Sequence, residues 1–454
     1  MTVPSIGPIK LPNVDIETWL LKFDKLGNCE SPIHRQALLE RLKNNKKQPV
    51  ILFSHGWNNE YGHATGWYST FLQHLQKHLT KNTSINPVFV GIIWPSTWLS
   101  FDTGPIIANT GNNQRPLVEL QLQEELSKNL PEAERQYLAA LLDKKEITEQ
   151  QSRELAVLLS QALNADSSAF KTDNLDHAPD AEAIKTAMNQ LRSINKAREQ
   201  NGLNGDDLGD AGVASGENFP YQPQEAGFLG YLDPRWALRV ASVYQIKDRA
   251  GSVGTTGVSA LVQDICSYAP SSPLHLVGHS FGAKVVLSAL ATHEHPKVES
   301  VLLLQPAISY LCFEKVLPEK VLPGDRGAGG YNAVSLRVKQ AILSTYSAHD
   351  FALHELFHRA LLRADDIGEI RIAGEPRSAG SPPNIYAALG GYGPKGASEN
   401  PTTLPVSETS FVPPPGPNVL GLDGTLDRRI NGHGDVTTPH TAWLLYCQLL
   451  KSHS

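Results

Sequence analysis

Cysteine is scarce in this chain: there are four in 454 residues, Cys29, Cys266, Cys312 and Cys447, few and scattered. A disulfide framework is therefore not expected, and Cys266 and Cys447 fall in apolar segments read as helices, which suits reduced, buried thiols. No apolar run approaches the roughly 20 residues that a membrane-spanning helix needs. Met1-Thr2-Val3-Pro4-Ser5 has neither the charged start nor the apolar core of a signal peptide, so the expectation is a cytoplasmic protein, with signal-free export as the other route. No basic run is long enough to hold nucleic acid, and a net charge of −6 with an isoelectric point near 6.2 gives no electrostatic reason for one. There are no internal repeats. A chain of this length can bury a large core, and one α/β domain over 1–454 carrying an insertion fits it.

What the chain does have is a series of short, continuously apolar runs. They are 49–53 (Pro-Val-Ile-Leu-Phe), 88–94, 274–277, 300–305 and 340–346, with a weaker one at 418–422. Helical patterns separate most of them, notably Trp67 to Leu79, Ser259 to Tyr268 and Ala283 to Thr292. Unbroken apolar runs alternating with helices predict a parallel sheet covered on both faces.

One of these runs ends in Gly278-His279-Ser280-Phe281-Gly282, followed by a helix rich in Ala, Val and Leu. Strand, G-x-S-x-G and helix in that order describe a nucleophile elbow, in which a sharp turn lifts the serine hydroxyl clear of the sheet. Ser280 is thus the candidate nucleophile. The charge that develops on an attacked carbonyl oxygen needs donors. The backbone N–H of Phe281, the residue after the nucleophile, is one candidate. Trp57 N–H is the other, because His55-Gly56-Trp57 follows the 49–53 strand at its carboxyl end; His55 is read as a brace for that loop.

In such a sheet the acid and then the histidine follow the serine in the chain. Asp350 stands just past the 340–346 strand, where a carboxylate can orient an imidazole, and it is also placed to cap a helix over Phe351 to Leu362. Asp365 and Asp366 are rivals, disfavoured because they follow that helix. For the base, His433 stands between Gly432 and Gly434 in a loop, whereas His440 follows Pro439 in the first turn of a helix running to Leu450. His433 is preferred. It would take the proton from Ser280 and pass it to the leaving group, with Asp350 fixing its tautomer.

On these residues the chain resembles the α/β-hydrolase superfamily, and within it a poorly characterised bacterial branch of serine esterase or lipase-like proteins. The matching segments are 23–27 (Phe-Asp-Lys-Leu-Gly), 53–59 (Phe-Ser-His-Gly-Trp-Asn-Asn), Trp94-Pro95-Ser96, 278–282, Ser347-Ala348-His349-Asp350 and 432–436 (Gly-His-Gly-Asp-Val). The resemblance implies an α/β-hydrolase fold, a Ser280-His433-Asp350 triad and hydrolysis of carboxylic esters, lipid esters among them. It implies no cofactor and no metal. The substrate itself does not follow, since this fold carries many chemistries.

Two other readings stand beside it. His354-Glu355-Leu356-Phe357-His358 spells H-E-x-x-H, which on a helix would present two zinc ligands and a general base. A convincing third ligand is missing: Leu361 and Ala364 occupy the Gly and His positions of the extended pattern, and Glu369 and Glu375 lie beside glycines. The third reading is a catalytically silent scaffold that binds a partner through an insert. That insert, 102–235, breaks the strand–helix alternation and is expected after a fourth buried strand as a helical cap or lid. Leu117 to Leu126, Glu132 to Leu142, Glu149 to Leu163 and Ala181 to Glu199 read as its helices, with Thr148 and Gln151 as a capping box for the third. Gly374 to Pro417, rich in Pro, Gly and Ser, reads as one long loop.

Overall fold

A computed structural model of the chain describes residues 7–44, 47–56, 61–81, 84–96, 117–167, 181–182, 184–185, 187–189, 234–292, 297–316, 328–350, 352–356, 387–395 and 402–453. The chain divides into two compact units, one of residues 1–97, 246–354 and 380–454 and the other of 98–245 and 355–379.

The first unit is built on an α/β sheet. Its elements in chain order begin with β1 (Thr18–Lys22), α1 (Pro32–Asn44), β2 (Val50–Ser54), α2 (Tyr61–Leu79) and β3 (Val88–Ile93). After residue 245 come β4 (Leu274–His279), β5 (Ser300–Leu304), β6 (Ile342–Tyr346), β7 (Thr402–Thr403) and β8 (Val419–Asp423). The eight strands form one sheet in the order β1-β3-β2-β4-β5-β6-β8-β7, with every neighbouring pair parallel. β2, β3, β4 and β5 are buried along their whole length, which is why they read as unbroken apolar runs.

On one face, α2 packs with the helix Pro439–His453 over a core that joins Ile51, Phe53, Phe89, Val277 and Leu302 of the sheet to Phe71, Leu75, Leu444 and Leu449. The opposite layer follows the helix Arg235–Ser252 in the chain. A π-helical turn Val253–Val258, the helix Ser259–Tyr268 and the elbow helix Phe281–Thr292 then pack on one another, and α1 packs on the second of these. Glycine makes that seam possible. A Cβ on Gly257 would sit 2.5 Å from the Phe23 ring and closer still to the Gly27 carbonyl oxygen, while Gly27 itself has φ +85°. Asp24 holds the same turn by accepting from the backbone N–H groups of Leu26 and Asn28. The 23–27 segment is thus a seat for the π-helical turn that packs against the elbow helix.

The described part of the second unit is helical. Leu117–Ser127, Glu132–Leu142 and Glu149–Ser167 pack together through buried residues such as Leu138, Leu141, Leu155 and Leu159. The capping box is present: Gln151 N–H donates to Thr148 Oγ1 at 3.3 Å, and Gln151 Oε1 accepts from Thr148 N–H at 3.1 Å. Lys185, in the helical residues of 181–189, pairs with Glu149 at 2.6 Å.

Several expectations are corrected. Among the described residues, three strands and not four precede residues 102–235. A regular helix over 351–362 is replaced, in the described residues, by a π-helical turn Ala352–Leu356. The expected loop 374–417 contains a one-turn helix, Leu389–Tyr392, and the edge strand β7. Cys266 lies in a helix as expected but is half-buried, whereas Cys447 is buried; all four thiols are free. Among the described residues no helix is long and apolar enough to cross a membrane.

Candidate active site

The sheet's topology marks one place before any side chain is considered. From β2 the chain turns back to β3 on one side, and from β4 it proceeds to β5 on the other. Loops leaving the carboxyl ends of these two adjacent strands therefore diverge, and a crevice opens between them. Ser280 directly follows β4, and His55 and Gly56 directly follow β2.

Ser280 adopts φ +54°, a left-handed conformation that costs a residue with a Cβ about 1–2 kcal/mol. Tertiary hydrogen bonds hold it there: Ser280 N–H donates to the Leu304 carbonyl at 3.0 Å, and Ala307 N–H donates to the Ser280 carbonyl at 3.2 Å. Both glycines of G-x-S-x-G answer a steric demand. A Cβ on Gly278 would lie 2.6 Å from the Gly282 carbonyl oxygen. One on Gly282 would lie 2.5 Å from the His55 carbonyl oxygen and closer still to that of Ser54. A Cβ on Gly56 would lie 2.6 Å from Ser280 Cβ. The elbow closes on itself and on the end of β2 with no room for a methyl group.

The structure brings Ser280, His433 and Asp350 into one hydrogen-bonded chain. Ser280 Oγ–H donates to His433 Nε2 at 2.8 Å, and His433 Nδ1–H donates to Asp350 Oδ2 at 2.9 Å. Ser280 and Asp350 are fully buried and His433 is 6 % exposed, so these bonds form in a low-dielectric setting. Asp350 also accepts from Leu353 N–H on Oδ1 at 3.0 Å, the helix-capping bond that its position suggests. Phe281 is the first residue of the elbow helix, which places its N–H at the positive end of that helix. Trp57 lies outside the described residues, as do Asp365, Asp366, Glu369, Glu375 and His358.

His55 is a brace. Its Nδ1–H donates to the Gly56 carbonyl at 2.8 Å and its ring stacks on Trp94 at 8° interplanar angle, while Trp94 Nε1–H donates to the His55 carbonyl at 3.1 Å. Burial pulls its pKa down to about 4, so the ring is neutral. His440 is engaged elsewhere: its Nδ1 accepts from Ser407 N–H at 2.9 Å. His354 Nε2–H donates to the Ser347 carbonyl at 3.1 Å, and its ring packs on Tyr392 at 4.3 Å. Among the described residues no group of three or more His, Cys, Asp or Glu side chains is arranged to hold a metal ion.

Two residues of this site carry no signal that sequence reading used. His279, the variable position before the serine, donates from Nε2–H to the His433 carbonyl at 3.0 Å, and its ring lies 4.6 Å from that of Trp67 and 5.2 Å from that of His433. Burial, reinforced by the neighbouring His433, pushes its pKa well below the usual histidine value and keeps it neutral. Gln305, the residue after β5, has φ +43° and donates from Nε2–H to Asp350 Oδ2 at 3.0 Å.

The chain matches no protein-family model, no curated protein and no solved structure.

Proposed function

We propose that the protein is a serine hydrolase of the α/β-hydrolase type that cleaves carboxylic esters, lipid esters among them, through a covalent acyl-enzyme. The observation that carries this reading is the buried relay from Ser280 Oγ through His433 to Asp350, standing at the switch point of a parallel sheet. A hydroxyl whose proton is already directed at an imidazole nitrogen, with the other nitrogen bonded to a carboxylate, is an activated nucleophile.

In this reading Ser280 Oγ attacks the ester carbonyl carbon while His433 Nε2 takes the hydroxyl proton. Asp350 stays ionised and stabilises the imidazolium. The carbonyl π electrons move onto oxygen, and the Phe281 N–H, at the amino end of its helix, donates to that oxyanion; Trp57 N–H is the proposed second donor. The tetrahedral intermediate collapses with cleavage of the bond to the alkoxy oxygen, which takes the proton from His433 and leaves as the alcohol. Water then attacks the acyl-Ser280 carbonyl, with His433 again as base and then acid, releasing the carboxylic acid.

Labelling by a fluorophosphonate tests the proposal. The wild-type protein should be labelled at one site and Ser280→Ala should not, while ester turnover falls by a factor on the order of 10⁶. Labelling that survives in Ser280→Ala, or a wild type that neither labels nor hydrolyses any ester, overturns it. A role of the 102–235 insert in substrate choice is tested separately, by replacing it with a short linker and comparing esters of different chain length.

A further inference from the structure

Gln305 has a hydrogen-bond partner at both polar atoms of its side chain and at its backbone N–H. It follows β5, is fully buried, and adopts φ +43°, so it is held in a backbone conformation that a glutamine ordinarily avoids. Its backbone N–H donates to Thr345 Oγ1 at 3.0 Å. Having accepted there, the Thr345 hydroxyl spends its own proton on Gln305 Oε1, also 3.0 Å away, in preference to the Leu303 carbonyl at 3.5 Å. At the other end of the amide, Nε2 faces the Gly390 carbonyl and Asp350 Oδ2, both at 3.0 Å.

That arrangement leaves no ambiguity about which way the amide points. The Gly390 carbonyl can only accept, so the group that faces it must be the NH₂, and its second proton goes to Asp350 Oδ2. The carbonyl end meets a hydroxyl donor. Gly390 permits the close approach: a Cβ there would lie 2.5 Å from the Gln305 carbonyl carbon and 2.5 Å from Leu353. The Gly390 carbonyl also accepts from Ser347 N–H at 3.1 Å, which ties the same knot to the loop that carries Asp350.

We propose that Gln305 is a positioning residue that holds the Asp350 carboxylate and tunes the basicity of His433 through it. The inference rests on the serine-hydrolase reading. Asp350 Oδ2 receives two N–H donors, one from His433 and one from Gln305, and Oδ1 receives Leu353 N–H. The Gln305 bond draws off part of the carboxylate's negative charge that would otherwise act on the imidazolium of His433. It also prevents the carboxylate from rotating away from Nδ1. Titratable groups that face His433 include Asp350 and the neutral His279, with His55 beyond His279.

Removing the donor with Gln305→Leu leaves the carboxylate charge less shared, so the imidazolium is held more strongly. The acid limb of kcat/KM, or of the fluorophosphonate labelling rate, should move up by about half to one pH unit. The plateau rate should fall roughly tenfold as Asp350 gains freedom. Gln305→Glu is nearly isosteric, and its carboxyl faces two acceptors. Once ionised it adds a second negative charge beside Asp350, so its limb should move further in the same direction. A Thr345→Val variant, which releases the amide while leaving Gln305 in place, should shift the limb the same way by less. Circular dichroism and thermal melts establish that each variant is folded. A wild type that resists fluorophosphonate and hydrolyses no ester overturns the serine reading and this inference with it. A wild type that labels, with folded variants whose acid limb coincides with its own, overturns this inference alone, however much the plateau falls.

Discussion

Replacing Gly282 by alanine is the sharpest test of how the elbow is built. The added methyl group meets the His55 carbonyl oxygen at 2.5 Å and the Ser54 carbonyl oxygen closer still. Non-bonded heavy atoms are at ease near 3.5 Å, so the shortfall is roughly 1 Å. Both obstacles are backbone at the end of β2, an interior strand bonded to β3 on one side and β4 on the other, and no rotamer change relieves them. Either the elbow helix or the 54–56 backbone must retreat by about that amount. Overpacking a closed core costs about 1–3 kcal/mol, and a strand that cannot flex places this substitution at the upper end. With a urea dependence of about 1–3 kcal/mol per molar, the unfolding midpoint should drop by about 1–3 M. The same 1 Å shift separates Ser280 from the His55-Gly56 loop, and such a displacement costs about 100-fold in rate. Fluorophosphonate labelling kinetics and urea unfolding on the same preparation read both effects. Gly66→Ala is the control: it lies in the exposed face of α2 with nothing within 4 Å of the new Cβ, so the midpoint should rise by an amount worth about 0.5–1 kcal/mol. A Gly282→Ala protein with the wild-type midpoint and labelling rate would refute the steric account of the elbow.

His433→Ala should lose nearly as much turnover as Ser280→Ala, while His440→Ala, whose ring holds Ser407, should keep most of it; the reverse order in ester assays would exchange their roles. Acid should destabilise the fold through its buried neutral histidines. His275 has its pKa pulled to about 3 and His55 to about 4 by burial, against 6.5 for the free side chain, so between these values the unfolded chain binds protons that the folded chain does not. Stability is therefore lost as pH falls below about 6.5, with a slope of up to about 1.4 kcal/mol per pH unit for each such group, and His275→Asn should flatten the measured slope by one group's share. Ester hydrolysis should survive dialysis against a strong chelator; activity lost on dialysis and restored by zinc would favour the H-E-x-x-H reading instead.

Much of the fold was legible because interior parallel strands must be apolar on both faces, and β2 through β5 announce themselves that way. The edges are silent for the converse reason. β1 starts with Thr18 and ends with an exposed Lys22, and β7 is two exposed threonines. In α1 charged residues run through the helix and burial is confined to Leu38, Leu39 and Leu42, too narrow a stripe to register as periodicity. Ser280, Asp350 and His433 could be picked out because each follows a strand or sits in a glycine-flanked loop, so local context carried the signal. Gln305 could not. Its significance depends on a backbone angle and on bonds to Asp350 and Gly390, 45 and 85 residues further along the chain, and in the sequence it is only the polar end of an apolar run.

The described part of the H-E-x-x-H stretch is bonded to the loop that carries Asp350. The pattern has chemical meaning on a regular helix, where positions four apart share a face. Here the described start of the stretch, Ala352–Leu356, is a π-helical turn. His354, Glu355 and Leu356 belong to that turn, and His358 lies outside the described residues. The hydrogen bonds of His354 run back toward the acid: its N–H donates to the Asp350 carbonyl at 3.0 Å and its ring Nε2–H to the Ser347 carbonyl. Leu353, one residue earlier, donates its N–H to the Asp350 carboxylate. Tyr392 and Gly391 close over the ring, with a Cβ on Gly391 at 3.3 Å from His354 Nε2. A histidine committed to two backbone carbonyls and a tyrosine face serves as a strut for the Asp350 loop. Leu353 and His354 together thus bind the loop that carries Asp350 through its carboxylate and through the carbonyls of Ser347 and Asp350.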